Sequence, residues 1–224
     1  MDASLGGSRR LPGGVACPLA SAAVTPELLG WIASITYVLR LLPQPVRLWR
    51  TGLPAGVSTV AAWNALLCDL GWAAYGASAD LPPVLWVSVV AAVPGVWTVV
   101  LLRRETRARD LAIVGALAAV FVLAGVAGVL GVVLGLSVVI TTGPQVLVAL
   151  RQSDLRGIAP ATWLVSIADA ALWGAYGLAV GDGALLGYAA VLSTAAVIVL
   201  GRIAWTRRFV VGDDPDLAPA TATV

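Results

Sequence analysis

Apolar stretches of about twenty residues, each ended by a short polar break, follow one another along this chain. They fall at about 28–49, 57–78, 81–102, 110–127, 129–150, 158–179 and 184–205. At 1.5 Å of rise per residue each can cross a hydrocarbon layer of roughly 30 Å as a helix. The long run from Leu111 to Leu150 carries no charge, so its turn must lie among Gly125 to Gly128, and its length needs two crossings. Seven membrane-spanning helices are predicted. Residues 1–26 and 209–224 are rich in Gly, Pro, Ser, Ala and Asp and read as disordered tails. The stretch SRRLPGGVACPLASAA has some features of a signal peptide, but Gly13, Gly14 and Pro18 interrupt its apolar part, so cleavage is not expected.

Composition agrees with the pattern. The chain is 59% hydrophobic and 12% charged, with a mean hydropathy of +0.93, too apolar for a surface that faces water. The partner this implies is the lipid bilayer, and the expected location is the cell membrane, crossed several times. All fourteen basic residues are Arg, and most gather in alternate loops. Arg47 and Arg50 follow the first span, Arg103, Arg104, Arg107 and Arg109 the third, Arg151 and Arg156 the fifth, and Arg207 and Arg208 the seventh. The opposite loops hold only Asp80 and Asp182. The positive-inside rule therefore places the N-terminus outside and the C-terminus in the cytoplasm, with only Arg9 and Arg10 dissenting. A net charge of +2 without basic, aromatic-interleaved patches excludes nucleic acid as a partner. The chain has no His, and its only cysteines are Cys17 and Cys68, so a His/Cys metal site and a Cys–His dyad are excluded. No cofactor, metal or catalytic group is expected, and the chain does not read as an enzyme.

A single slide of 101 positions lays one half of the chain on the other. It superposes Leu29-Gly30 on Leu130-Gly131, Pro43-Gln44 on Pro144-Gln145, Arg50 on Arg151, Gly56 on Gly157, and Trp72 to Gly76 on Trp173 to Gly177. A register held from helix start to helix end marks a duplicated three-helix unit. The chain divides into a first unit at 27–104, a linker helix at 105–127 and a second unit at 128–208. Four crossings separate the starts of the two units, so both enter the membrane the same way round, as parallel repeats about an axis along the membrane normal.

A first helix carrying Pro-Gln near its end, a short basic loop and a second helix ending in Trp-x-x-Tyr-Gly resemble the PQ-loop superfamily, most closely the SWEET and SemiSWEET sugar transporters. The resemblance covers residues 28–205. It implies transport of a small polar solute, with a sugar the favoured class, by alternating access between two three-helix bundles hinged at the Pro-Gln kinks. Proline removes one backbone hydrogen bond and crowds the preceding turn, so a bend at Pro43 or Pro144 is cheap. Gln44 and Gln145 could satisfy the carbonyls those prolines free. The same superfamily includes amino-acid transporters and a cargo receptor, so proton-coupled movement of an amino acid and a non-transporting receptor or scaffold are the alternatives. Single-unit members pair as dimers, which allows a homo-oligomer.

The resemblance also implies that Trp72 and Trp173 sandwich the solute, while Trp31, Trp49, Trp97 and Trp205, nearer the helix ends, read as interface anchors. The family's pair of sugar-binding asparagines is missing: the corresponding positions are Val87 or Ser88 and Ala189. Asn64, Ser88, Ser166 and Tyr188 are the other candidate polar contacts, although a Ser in a membrane helix commonly bonds its own backbone.

Two carboxylates stand within the spans, Asp69 in WNALLCD and Asp169 in WLVSIAD, each about one turn before a repeat tryptophan. A charge at such a depth costs roughly 2.5–3.5 kcal/mol on insertion scales and normally faces a polar interior. Asp69 lies about 18 Å along its helix and Arg40 about 15 Å from the same end of its own, at 1.5 Å per residue. An Asp69–Arg40 ion pair is therefore expected. The residue equivalent to Arg40 is Thr141, which leaves Asp169 without a basic partner and makes it the expected proton-exchanging group.

Overall fold

A computed structural model describes residues 25–52, 57–152, 155 and 158–212, with the side chains of residues 44 and 207–212 excepted. Most of both expected tails, together with Cys17, Arg156, Gly56 and Gly157, lies outside the described residues. Within them every regular element is a helix: α1 Pro26–Leu41, α2 Pro43–Thr51, α3 Thr59–Ser78, α4 Pro82–Leu101, α5 Ala108–Val126, α6 Leu130–Arg151, α7 Pro160–Val180 and α8 Gly183–Gly212. α8 runs past the expected boundary at residue 208.

Five of these, from α4 to α8, are long and apolar enough to cross a membrane. The other two crossings are α1 with α2, separated only by Leu42, and α3, whose apolar run is diluted by Asn64 and Asp69. The protein is an all-helical, multi-pass membrane protein. Leu178, Val122, Leu123, Val93 and Val126 on its outer surface are more than half exposed, as hydrocarbon-facing side chains should be.

Local sequence explains where the helices start and stop. Thr25 and Ser58 accept bonds from Leu28 and Ala61 and so cap α1 and α3. Pro26, Pro82 and Pro160 begin helices at the position where a missing N–H does no harm. Gly128 turns the chain between α5 and α6 with φ +72°, in the predicted region Gly125 to Gly128. At the start of α5, Asp110 accepts from the Arg107 N–H at 3.1 Å and from Thr59 Oγ1 at 3.0 Å, tying this helix to the start of α3.

The helices pack as two three-helix groups. In the first, α4 lies against both α1 and α3; in the second, α8 lies against both α6 and α7. The third helix of each group is thus the central one. The groups meet through α1 with α7 and, equivalently, α6 with α3, while α5 packs along α3 and α6. The close glycine contacts at the starts of α1 and α6 follow the 101-residue register. A Cβ on Gly30 would stand 2.7 Å from Pro83 and 3.1 Å from the Tyr176 ring; one on Gly131 would stand 2.6 Å from both Ala184 and the Tyr75 ring. Each pair of neighbours maps onto the other under that slide.

The two Pro-Gln sites differ. The first proline breaks its helix between Leu41 and Pro43, whereas α6 continues through Pro144 to Arg151. The first site reads Pro-Gln-Pro, and Pro43 with Pro45 removes two helical N–H donors within one turn; the position matching Pro45 is Val146. Around Pro144, the Thr141 and Thr142 hydroxyls both donate to the Val138 carbonyl, at 2.9 and 2.8 Å. Among the described residues the Gln145 amide makes no hydrogen bond.

Candidate functional site

Between the two groups lies a cavity of about 640 Å³, lined by α1, α3, α4, α6, α7 and α8. Its lining begins at Val57 and Ser58, beside the first residues of α3, and includes Thr162 near the start of α7 and Pro144 and Gln145 near the end of α6. All of these lie toward the arginine-bearing ends of the helices. It ends at Trp72, fourteen residues beyond Ser58 and so about 21 Å deep. Past Trp72 there remains a pocket of about 30 Å³ bounded by Tyr37, Trp72, Val84, Val87, Ser88, Trp173, Leu185 and Tyr188.

The opposite end is sealed. The Gly30–Tyr176 and Gly131–Tyr75 approaches leave no room for a side chain larger than hydrogen, and the Tyr75 hydroxyl donates to Asp182 Oδ2 at 2.7 Å across the two groups. Asp182 is held for this by the Leu185 N–H, which donates to its Oδ1 at 2.9 Å. Within the first group, the Ser34 hydroxyl donates to the Gly30 carbonyl at 2.8 Å and to the Pro83 carbonyl of α4 at 3.4 Å.

A polar belt borders the cavity below Trp72, with Tyr37, Arg40, Asp69 and Tyr188 in its lining and Asp169 behind them. Tyr188 donates to Asp169 Oδ2 at 2.8 Å, Arg40 Nη2 donates to the Tyr188 hydroxyl at 3.1 Å and stands 3.5 Å from Asp169 Oδ2, and Thr36 Oγ1 lies 3.3 Å from Asp169 Oδ1. The Arg40 guanidinium sits over the Tyr37 ring at 5.2 Å, and the Tyr37 hydroxyl donates to Asp69 Oδ1 at 2.8 Å. Arg40 therefore pairs with Asp169 and not with Asp69, reversing the expected partnership. Two facts explain it. α1 packs against α7 of the other group, while α4 stands between α1 and α3. In addition, the 101 slide carries Asp69 onto Ala170 and Asp169 onto Cys68, so the two acids are one residue out of register. One residue is about 100° around a helix, which turns the two carboxylates toward different neighbours. The true counterpart of the Thr36–Asp169 contact is Ser137 with Cys68, whose Oγ and Sγ lie 3.1 Å apart.

The other expected site residues are only partly brought together. Trp72 and Tyr188 line both cavities, with their rings edge-to-face at 6.0 Å. Trp173 and Ser88 border the small one alone. The Trp173 N–H faces Asp169 one turn back without reaching hydrogen-bond geometry. Ser166 lines the large cavity, but its hydroxyl donates to the Thr162 carbonyl at 3.0 Å. Asn64 lies outside both linings; it is fully buried against the Cys68 thiol, its amide atoms outside hydrogen-bond geometry. Pro144 and Gln145 line the cavity, and Pro43 stands apart from it. Trp31, Trp49 and Trp205 are exposed, and Trp49 packs on Trp97 with ring centroids 6.2 Å apart. Sequence reasoning missed Tyr37 and Trp163. Tyr37 had a readable signal, since it precedes Arg40 by one turn on the same face. Trp163 had one in its motif, which opens with this residue.

No protein-family model and no curated protein matches the chain. Its fold is similar to a solved structure of a eukaryotic SWEET transporter, with a TM-score of 0.63 and 17% identity over 82% of this chain and 95% of the other. At this identity the likeness is one of fold, and it defines a SWEET-like, multi-pass membrane architecture.

Proposed function

We propose that this chain carries a small polar solute, with a sugar the favoured class, across the cell membrane by alternating access. On this reading its two three-helix units rock about the belt at Arg40, Tyr188 and Asp169, with residues 105–127 as a linker and the arginine-bearing loops in the cytoplasm. The observation that carries the reading is the cavity itself: it lies between the two three-helix groups, reaches the arginine-bearing face and stops at Trp72 beneath the closely packed end. A solute entering from the arginine-bearing face would meet Trp72, stack on its indole and offer hydroxyls to Tyr37 and Tyr188. Opening the other end would separate Tyr75 from Asp182 and bring the Trp173 side of the pocket into contact with the solute. The break at Pro43 gives the first unit a flexible joint; Pro144 supplies a weaker one in the second. The fold similarity to a SWEET transporter supports the same reading.

Uptake of a labelled hexose into proteoliposomes holding the purified protein tests it. Saturable uptake above that of protein-free vesicles, accelerated by unlabelled hexose inside, is the expected result. Solute binding without flux would overturn transport in favour of a receptor. The intramembrane carboxylates favour a second reading, proton-coupled movement of an amino acid, which predicts uptake that requires a pH gradient.

A further inference from the structure

One carboxylate in the cavity is left without a counter-charge by the protein. Asp69 borders the cavity and accepts a hydrogen bond from Tyr37, yet among the described residues no Arg pairs with it. Tyr37, whose hydroxyl bonds it, shares the cavity lining with Asp69, as do Arg40 of α1, Thr98 of α4, Ser137 of α6 and Tyr188 of α8. Arg40 is the one cation among them, and it is committed to Asp169 and Tyr188. The belt thus holds two acids and one base, and an unpaired carboxylate at such a depth is costly unless something positive joins it.

The walls suit an organic cation. Tyr37, Trp72, Trp163 and Tyr188 all line the same cavity, and aromatic faces attract ammonium groups. A volume of about 640 Å³ holds a solute of monosaccharide size with water to spare. A neutral sugar would bring Asp69 no counter-charge, whereas an ammonium group would, and an anion would be repelled by the carboxylate. We propose that the cavity recognises solutes carrying a protonated amine, with Asp69 as the ammonium acceptor and Tyr37 holding that carboxylate in place. The inference rests on the transport reading above and names the substrate class within it.

The test is a matched set of probes: glucosamine, glucose and N-acetylglucosamine, which differ at one substituent, at a pH where the free amine is protonated. Binding to the purified full chain is read by tryptophan fluorescence or calorimetry, separately from flux in vesicles. Glucosamine should bind about tenfold more tightly than the other two, the scale of one charge-assisted hydrogen bond. Asp69→Asn should reduce that preference to about twofold or less, while Asp69→Glu retains it. In the wild-type protein, where folding of a variant is not in question, ethanolamine should displace glucosamine and ethylene glycol should not. Equal binding of the three probes, binding of none, or a preference that survives in Asp69→Asn would overturn the proposal. Saturable flux without amine preference would overturn it and leave transport standing; amine-selective binding without flux would do the reverse.

Discussion

Arg40 is charged at every accessible pH, so its surroundings must answer for it. They do so through Asp169, Tyr188 and the face of Tyr37. Removing one member of a buried ion pair strands the other, at a cost of about 3–5 kcal/mol, whereas removing both charges avoids that penalty. Asp169→Asn is therefore expected to lower the melting temperature in detergent sharply, with Arg40→Leu/Asp169→Asn recovering much of the loss. Arg40→Leu/Asp69→Asn should recover none, because it strands Asp169. A melting series in which the Asp69 double variant is the one rescued would return the pair to the partnership read from depth alone. The tryptophans divide in a similar way. Trp72→Ala and Trp173→Ala should weaken solute binding by about tenfold or more, roughly 1.4 kcal/mol, as expected for a buried aromatic contact. Trp49→Ala and Trp205→Ala, both at exposed positions, should leave affinity within about twofold. Equal effects from all four in a titration would remove the distinction between pocket and anchor.

Among the helices, the pseudo-symmetric pair α1–α2 and α6 shows how few residues separate a break from a continuous rod. Val146 restores the N–H that Pro45 lacks, and α6 passes through its proline unbroken. The Pro43→Ala/Pro45→Ala variant can rebuild two helical hydrogen bonds and should straighten α1 onto α2. We expect it to slow uptake by about tenfold with little change in solute affinity, an effect on the moving step and not on the pocket. Pro144→Ala should slow uptake less. Flux and binding measured together decide the matter: equal slowing by both changes would mean that the difference between the two sites has no part in transport.

For the molecule as a whole, the proposed alternating access makes the sealed end and the open cavity two consequences of one placement of the two groups, so loosening one should close the other. The Tyr75–Asp182 bond and the packing at Gly30 and Gly131 hold the seal. Tyr75→Phe removes the bond while keeping the ring. In a background with Cys17 and Cys68 changed to Ser, a cysteine at Ser88 reports on the sealed side and one at Thr162 on the cavity mouth. Tyr75→Phe should raise labelling of Ser88→Cys by an impermeant thiol reagent several-fold and lower that of Thr162→Cys, as a population shift requires. A rise at both positions would indicate local loosening and no coupled motion.

Much of this was written in the linear order of residues, because a bilayer makes topology a local matter. Each crossing needs its own apolar run with its backbone bonded internally, so the spans, the turn at Gly128 and the alternation of arginine loops could all be read directly. The duplication could be read too, since Gly30 and Gly131 or Tyr75 and Tyr176 keep one spacing. Partner choice could not. Depth along a helix follows from residue number, but the direction a side chain faces matters only once its neighbours are known. The central position of the third helix in each group, and the single-residue offset between Asp69 and Asp169, were decided by packing. They sent Arg40 across to the other half and left Asp69 facing the cavity, because a helix turns by about 100° per residue and an ion pair forms only where two side chains meet.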